Sequence, residues 1–163
     1  PVGLFVLQGL RTYADVGTVI ALDPVAYRRQ CALSLGADKV LDPLADDCLE
    51  SIRASGKRTG ADYAFNCALK EPRDAYDTVR TGGMLMNVTG GVTTLPETEK
   101  TVDGSWYFNY SEYPDNVALV KAGEFDLAGA ITHEFPLAEI NEAFEVRSRH
   151  PEESLKVVVR CVD

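Results

Sequence analysis

The sequence predicts an α/β fold, in which a parallel sheet carries helices on both faces and a helix–strand appendage closes the chain. Short runs of apolar and β-branched residues alternate with stretches of helical periodicity over about the first 90 residues, as in βαβ units. Beyond about residue 92 this alternation changes. We therefore expect a core over residues 1–100 and a C-terminal extension with strands and helices over residues 101–163.

Each predicted element follows from its local pattern. Nearly every residue from Val2 to Leu10 is apolar, which predicts a buried helix, and a polar turn follows at 11–17. Further helices are predicted over residues 24–36, 44–55, 73–80 and 114–122 and from Leu137 onward, with Gly82 and Gly83 ending the one at 73–80. Strands are predicted over residues 18–22, 39–41, 62–67, 84–89, 106–110, 131–135 and 155–162.

The composition restricts the possible partners. The chain has 163 residues, 45% of them hydrophobic, and a formal net charge of −9. Because phosphate backbones repel such a chain, nucleic acid is not expected as a partner, and no apolar run approaches the roughly 20 residues of a membrane span. The four cysteines are scattered singly, which favours reduced, mostly buried thiols in a cytoplasmic protein over a zinc site or disulfides.

The most informative spacing joins Gly3, which opens the first helix, to Asp23, which ends the first strand. In dinucleotide-binding βαβ units the last glycine of the phosphate loop and the ribose-binding acid stand about 20 residues apart. The reason is mechanical, because one helix and one returning strand must fit between the pyrophosphate and the ribose. The spacing therefore indicates a dinucleotide site at the carboxyl ends of the strands.

Seven segments extend this pattern along the chain: Pro-Val-Gly at 1–3, Val-Ile-Ala-Leu-Asp at 19–23, Leu-Gly-Ala-Asp at 35–38, Thr-Gly-Ala-Asp at 59–62, Gly-Gly at 82–83, Gly-Ser-Trp at 104–106 and Ile-Thr-His-Glu-Phe-Pro-Leu-Ala-Glu-Ile-Asn-Glu-Ala-Phe-Glu at 131–145. In these segments the chain resembles the C-terminal, nucleotide-binding half of the zinc-type medium-chain alcohol and polyol dehydrogenases. The resemblance covers almost the whole chain in the family's order, and the last segment is the most specific. It implies a truncated Rossmann-like sheet.

The resemblance also implies a cofactor site. Gly3 corresponds to the final glycine of the phosphate loop, Asp23 to the acid that binds both ribose hydroxyls, and Arg28 to the basic residue near the same ribose. Since Asp23 would repel a 2′-phosphate, NAD(H) is implied rather than NADP(H). The complete set of implied cofactor-binding residues is Val2, Gly3, Asp23, Arg28, Cys67, Ala68, Val88, Thr89 and Gly90.

Two parts of the family's structure are missing from this chain. In the family an N-terminal catalytic domain supplies the zinc ligands and most of the substrate pocket, so no zinc is expected here. The first strand and the first two glycines are also absent, which weakens the pyrophosphate cradle and opens an edge on both neighbouring strands. Either the chain is a fragment whose other part has been lost, or residues 155–162 or a strand from a second copy fill the slot. We expect a homodimer or a strand-exchanged oligomer.

No catalytic residue is assigned from the sequence. His133 is a weak candidate for proton transfer, although a structural histidine is the favoured interpretation. Cys67 has no base beside it in the sequence and is interpreted as a core thiol. In the family, the region of the aromatic run at 106–110 lies near the edge strand used for dimerisation. The resemblance therefore implies that the extension over residues 101–163 lies at a dimer edge, and the run is interpreted as core or interface.

Three functions stay open at this stage. The first is the NAD(H)-binding portion of an oxidoreductase that transfers hydride between a secondary alcohol and nicotinamide. The second is a dehydrogenase scaffold reused as an isomerase or cyclase on a small hydrophobic substrate, with its acid or base drawn from Asp23, His133, Tyr107 or Tyr110. The third is a non-catalytic dimerisation module.

Overall fold

A computed structural model of the chain describes residues 1–55, 59–68, 72–88, 99–105, 109–150 and 152–161. The elements in chain order are α1 (Val2–Tyr13), β1 (Ile20–Leu22), α2 (Ala26–Ser34), β2 (Lys39–Leu41), α3 (Cys48–Ser55), β3 (Ala61–Asn66), α4 (Arg73–Thr78), β4 (Val79–Asn87), β5 (Thr101–Gly104), α5 (Tyr113–Lys121), β6 (Ile131–Pro136), α6 (Ile140–Arg149) and β7 (Lys156–Arg160). The predicted α/β class is confirmed. Within these ranges no helix combines the length and the apolar character that crossing a membrane requires.

The strands form three parallel sheets. β1 pairs with β2, β3 pairs with β4 and β4 with β5, and β6 pairs with β7. Among the described strands nothing joins β1 to β3, so a gap stands where the resemblance implies a missing central strand. The expectation that residues 155–162 fill this slot is wrong, because β7 lies beside β6, with His133 in register with Val157.

Gly82 and Gly83 belong to a strand and do not mark the end of a helix. The prediction that Gly82 and Gly83 end a helix is wrong, since both lie inside β4, where its register against β3 shifts. Gly82 has a φ of +72°, which favours glycine. At Gly83 a Cβ atom would stand 2.8 Å from the Asp62 carbonyl oxygen of β3. The pair therefore permits a bulge and a close approach of the two strands.

Other boundaries differ for local reasons. The predicted turn at 11–17 is partly wrong, because α1 continues through Tyr13. Helix α3 begins only at Cys48, since the Asp42 carboxylate accepts a hydrogen bond from the Leu44 N–H at 2.9 Å and holds a turn there. The sequence analysis missed β5, which pairs with β4 just beyond the expected boundary at residue 100. In the predicted strand at 106–110, residues 106–108 lie outside the described ranges, and Tyr110 begins a 3₁₀ turn.

Two separate apolar clusters lie against the first two sheets, one against β1–β2 and the other against β3–β4–β5. The first centres on Leu7 of α1 with Ala32 and Ala37, against which residues of β1 and β2 pack. The second centres on Tyr76, Val79 and the fully buried Leu85, packed under β3 and β5. Because α1 contributes to the first cluster and also contacts β3, it is the element that spans the gap.

Arg11, near the C-terminal end of α1, bonds to the segments that lead into β1 and β2. Its guanidinium and Nε–H donate to the carbonyl oxygens of Gly17 and Gly36, at 3.0 and 2.8 Å, and to the Asp38 carboxylate. The same carboxylate oxygen accepts from the Val19 N–H at 2.7 Å, just before β1. The Val19 hydrogen bond, followed by the bond to Arg11, lowers the pKa of Asp38 below its ordinary value of 3.8.

Replacing Asp38 by asparagine should therefore lower the urea midpoint of unfolding at pH 7. A carboxyl whose folded pKa lies below its unfolded pKa stabilises the fold above the unfolded value, and this contribution is lost as the pH falls through the folded pKa. The difference between wild type and Asp38→Asn should thus narrow steadily below pH 3.8. A difference that stays constant between pH 7 and pH 3 would show that the charge of Asp38 contributes nothing.

Candidate dinucleotide site

Four of the predicted site residues surround the start of α1. The amino group of Pro1 lies within electrostatic range of Asp23, Arg28 and Cys67, and also of Arg147 on α6. Burial, and then the charge of Arg28, lower the pKa of this amino group. A Cβ atom placed on Gly3 would stand 3.6 Å from the Cβ of Cys67. The structure thus brings Gly3, Asp23, Arg28 and Cys67 together around the start of α1, where β1 and β3 end.

Asp23 uses one carboxylate oxygen for local structure. Oδ1 accepts a hydrogen bond from the N–H of Val25, the N-cap of α2, at 2.8 Å. Within the described residues the structure gives Oδ2 no hydrogen-bond partner, and the side chain is only half-buried. The structural interpretation of this acid as a helix-start residue and its interpretation as a ribose ligand are therefore compatible, because each uses a different oxygen.

Arg29, which the sequence analysis missed, holds the Asp23 loop in place. Its Nη1 donates to the Asp23 carbonyl oxygen at 2.7 Å and to the Asp42 carboxylate at 3.1 Å. Since Asp23 and Asp42 each follow a strand of the first sheet, one guanidinium ties the two strand ends together. The signal that was available is the repeated acid after β1 and β2, together with a basic residue on the helix between them.

Asn66 organises the corresponding strand ends in the second sheet. Its Nδ2 donates to Oδ1 of Asn87 at 2.8 Å, and both side chains are buried. Its Oδ1 accepts from the Ala68 N–H at 3.3 Å, and its carbonyl oxygen accepts from the Val88 N–H at 2.9 Å. The side chain of Asn66 thus fixes the backbone at Ala68, and its main-chain carbonyl fixes the backbone at Val88. The sequence signal is an asparagine at the end of each of two apolar strands.

Of the remaining predicted site residues, the structure describes Val2 and Arg28 but not Thr89 and Gly90. Val2 is 46% exposed at the open end of α1. Arg28 reaches toward the C-terminal segment, where its Nη2 lies 3.5 Å from the Ser154 carbonyl oxygen. Thr89 and Gly90, like Trp106, Tyr107 and Phe108 of the aromatic run, lie outside the described residues.

Cys67 has the environment of an inert thiol. Its side chain is half-buried, and burial raises the pKa of its thiol. Burial also raises the pKa of Cys48, whereas Cys161 is exposed. All four cysteines are free, but only Cys48 is fully buried, so the prediction of mostly buried thiols is wrong.

The other candidate groups do not form an acid–base pair in the described part of the chain. His133 contacts neighbours on its own strand, through an Nδ1 to Thr132 Oγ1 distance of 3.1 Å and a stacked Phe135 ring. Tyr110 is 89% exposed, which is not the environment of an acid in a cleft. Across the described ranges no group of three or more His, Cys, Asp or Glu side chains is placed to hold a metal ion.

Comparison with known proteins decides the family. Residues 1–122 match the family described as zinc-binding dehydrogenases, which is most of the chain. The chain belongs to the zinc-binding dehydrogenase family. The predicted resemblance is thereby confirmed, and the matched part has the character of an NAD-binding, alcohol dehydrogenase-like Rossmann domain.

One curated relative and two solved structures illustrate the likeness. D-xylulose reductase of Saccharomyces cerevisiae is 30% identical over 66% of this chain and 32% of its own length. The crystal structure of 2R,3R-butanediol dehydrogenase from Bacillus subtilis is 26% identical, with a TM-score of 0.79 over 99% of this chain and 48% of that one. A short-chain alcohol dehydrogenase of Escherichia coli, solved with NADH, shares the fold at 20% identity and a TM-score of 0.81, over 96% of this chain and 48% of that one. The chain spans less than half the length of these relatives.

Replacing Asn66 by alanine should lower the free energy of unfolding by about 1–3 kcal/mol, because it leaves the buried amide of Asn87 without this partner. Urea denaturation measures the change. The matched control is Asn116→Ala, since Asn116 is exposed on α5 and should shift the stability by less than about 0.5 kcal/mol. Equal losses in the two variants would contradict the role assigned to Asn66.

Alkylation with iodoacetamide at pH 8 should modify Cys161 first. Because burial raises the pKa of Cys67 and Cys48, their thiolate fractions are small, and we expect both to react at least about tenfold more slowly. Mass spectrometry of peptides sampled over time gives the order. Preferential labelling of Cys67 would identify it as an activated nucleophile and overturn its interpretation as an inert thiol.

Proposed function

We propose that this chain is the NAD(H)-binding portion of a medium-chain alcohol dehydrogenase-like oxidoreductase acting on secondary alcohols. The observation that carries the proposal is the half-buried Asp23, which lies beside the start of α1 and keeps one carboxylate oxygen without a partner among the described residues. The family membership and the NADH complex of the Escherichia coli relative support it. The zinc-bearing part and the substrate pocket belong to other parts of such an enzyme.

The residues around Asp23 fit a dinucleotide. In α1 the N–H groups of Leu4 and Phe5 donate to the Pro1 carbonyl oxygen, so helix geometry leaves the N–H groups of Val2 and Gly3 for a phosphate. Oδ2 of Asp23 accepts a ribose hydroxyl and repels a 2′-phosphate, which favours NAD(H) over NADP(H). Arg29 keeps the Asp23 loop in position through the Asp23 carbonyl oxygen.

When bound, the nicotinamide supplies the hydride acceptor or donor. The part of this chain in that reaction is to bind and orient. Asn66 holds the backbone at Ala68 and Val88, where β3 and β4 end, and thereby shapes the surface on which the cofactor would lie. Cys67, with its raised pKa, contributes apolar contact area there and no nucleophile.

Calorimetric titration with NADH tests the proposal. Wild type should bind NADH more tightly than NADPH, and Asp23→Asn should weaken NADH binding by about 10- to 100-fold, since a charge-assisted hydrogen bond to the ribose is lost. Asp46→Asn is the matched control, because Asp46 is exposed before α3 and should leave the affinity unchanged. Equal affinity of wild type and Asp23→Asn would contradict the assignment of the acid.

The predicted strand-exchanged oligomer stays a prediction, and the gap between β1 and β3 supports it. Tyr63 and Phe65 of β3 are 66% and 37% exposed, and Leu22 of β1 is 41% exposed, which is unusual for strands that would be central in a parallel sheet. A strand from a second copy would cover these side chains. Analytical ultracentrifugation should show self-association that Tyr63→Lys weakens and that Tyr113→Lys, on exposed α5, leaves intact. A monomer at every concentration would contradict the exchange.

A further inference from the structure

A cavity of about 80 Å³ lies between α1, α2 and the segments that precede β6 and β7, and its lining includes none of the predicted cofactor-binding residues. Its apolar wall is formed by Leu4, Phe5, Leu35, Ala130 and Leu155. Gln8 on α1 lines the same space and is only 8% exposed. The cavity is therefore a mainly hydrocarbon space with one amide at its wall.

In the side-chain amide of Gln8, the oxygen has a hydrogen-bond partner and the nitrogen has none. Its Oε1 accepts a hydrogen bond from the Asp126 N–H at 2.7 Å. Its Nε2 is buried and has no hydrogen-bond partner. Exchanging the two atoms would set an N–H group against the N–H of Asp126, so the orientation is fixed by chemistry. An unpaired buried donor destabilises the fold, and a ligand that supplies a suitable acceptor would remove that cost.

Two other polar groups at the wall have hydrogen-bond partners. The Ser34 hydroxyl donates to the Cys31 carbonyl oxygen at 2.9 Å. Asp126 Oδ1 accepts from the Gly129 N–H at 2.7 Å. The Asp126 carboxylate disfavours an anion, and the donor of Gln8 disfavours a cation. The ligand that matches this wall is neutral and carries a hydrogen-bond acceptor.

Water matches the cavity less well than a small organic molecule does. The volume corresponds to about two or three waters of ~30 Å³ each, and every buried water needs two to four polar partners. The wall offers one unpaired donor and a large apolar area. We propose that this cavity is a binding site for a small neutral ketone, alcohol or ether of about four to six non-hydrogen atoms, whose oxygen accepts from Gln8 Nε2. This site goes beyond the proposed NAD(H) function and does not depend on it.

Titration of the full chain with butan-2-one, followed by ¹⁵N-resolved NMR without any dinucleotide, tests the site. The Gln8 side-chain signals should shift and saturate, with a dissociation constant on the order of 1–10 mM for so small a ligand. Gln8→Met keeps the bulk, removes the Nε2 donor together with the acceptor of the Asp126 N–H, and should weaken binding about fivefold. Gln30→Met is the matched control, because Gln30 is exposed on α2, and it should bind as wild type does.

Three results would overturn the proposal. One is a linear, unsaturated response of wild type, which would leave water as the only occupant. The second is equal binding of 2-methylbut-1-ene, the hydrocarbon of the same shape, since the donor would then contribute nothing. The third is saturation elsewhere in the protein while the Gln8 signals stay still, and this readout needs no variant to fold. None of these results bears on NADH affinity, so failure here and failure of the proposed function are distinguishable.

Discussion

The constraint on which the structure depends is that the start of α1 and the end of β1 must lie at the same edge of a parallel sheet. Helix α1 runs back along the sheet before β1 returns, and Arg11 fixes the distant turn by bonding to Gly17, Gly36 and Asp38. Because the turn is fixed at one end, Gly3 and Asp23 are brought together at the other. The site is therefore a consequence of how one helix is attached.

The same edge is reinforced by polar side chains that bond across neighbouring strand ends. Arg29 joins the ends of β1 and β2, and Asn66 joins the ends of β3 and β4. The β1–β2 sheet and the β3–β4–β5 sheet thus each have a polar link at the carboxyl ends of their strands and an apolar cluster packed against them. This arrangement explains how two sheets without a shared hydrogen bond among their described strands present one continuous candidate site.

Sequence reasoning predicted what short-range periodicity encodes. The α/β alternation, the strand at Lys39–Leu41 and the Gly3–Asp23 spacing follow from local patterns, and the family resemblance was sound. The predictions were wrong or incomplete where contacts between separate parts of the chain determine the structure. Gly82 and Gly83 serve a bulge against β3, β7 pairs with β6 rather than entering the gap, and Arg29 and Asn66 act on residues distant in sequence or in a neighbouring strand. Only folding makes such pairings visible.

The central claim, that the start of α1 and the acid after β1 bind the two ends of one dinucleotide, is tested most directly by hydrogen exchange with and without saturating NADH. The account predicts slower exchange in the peptides that contain Gly3, Asp23 to Arg28, and Cys67 to Ala68, all in the same experiment. Slowing at only one of these segments, or slowing confined to α5 and α6, would contradict it.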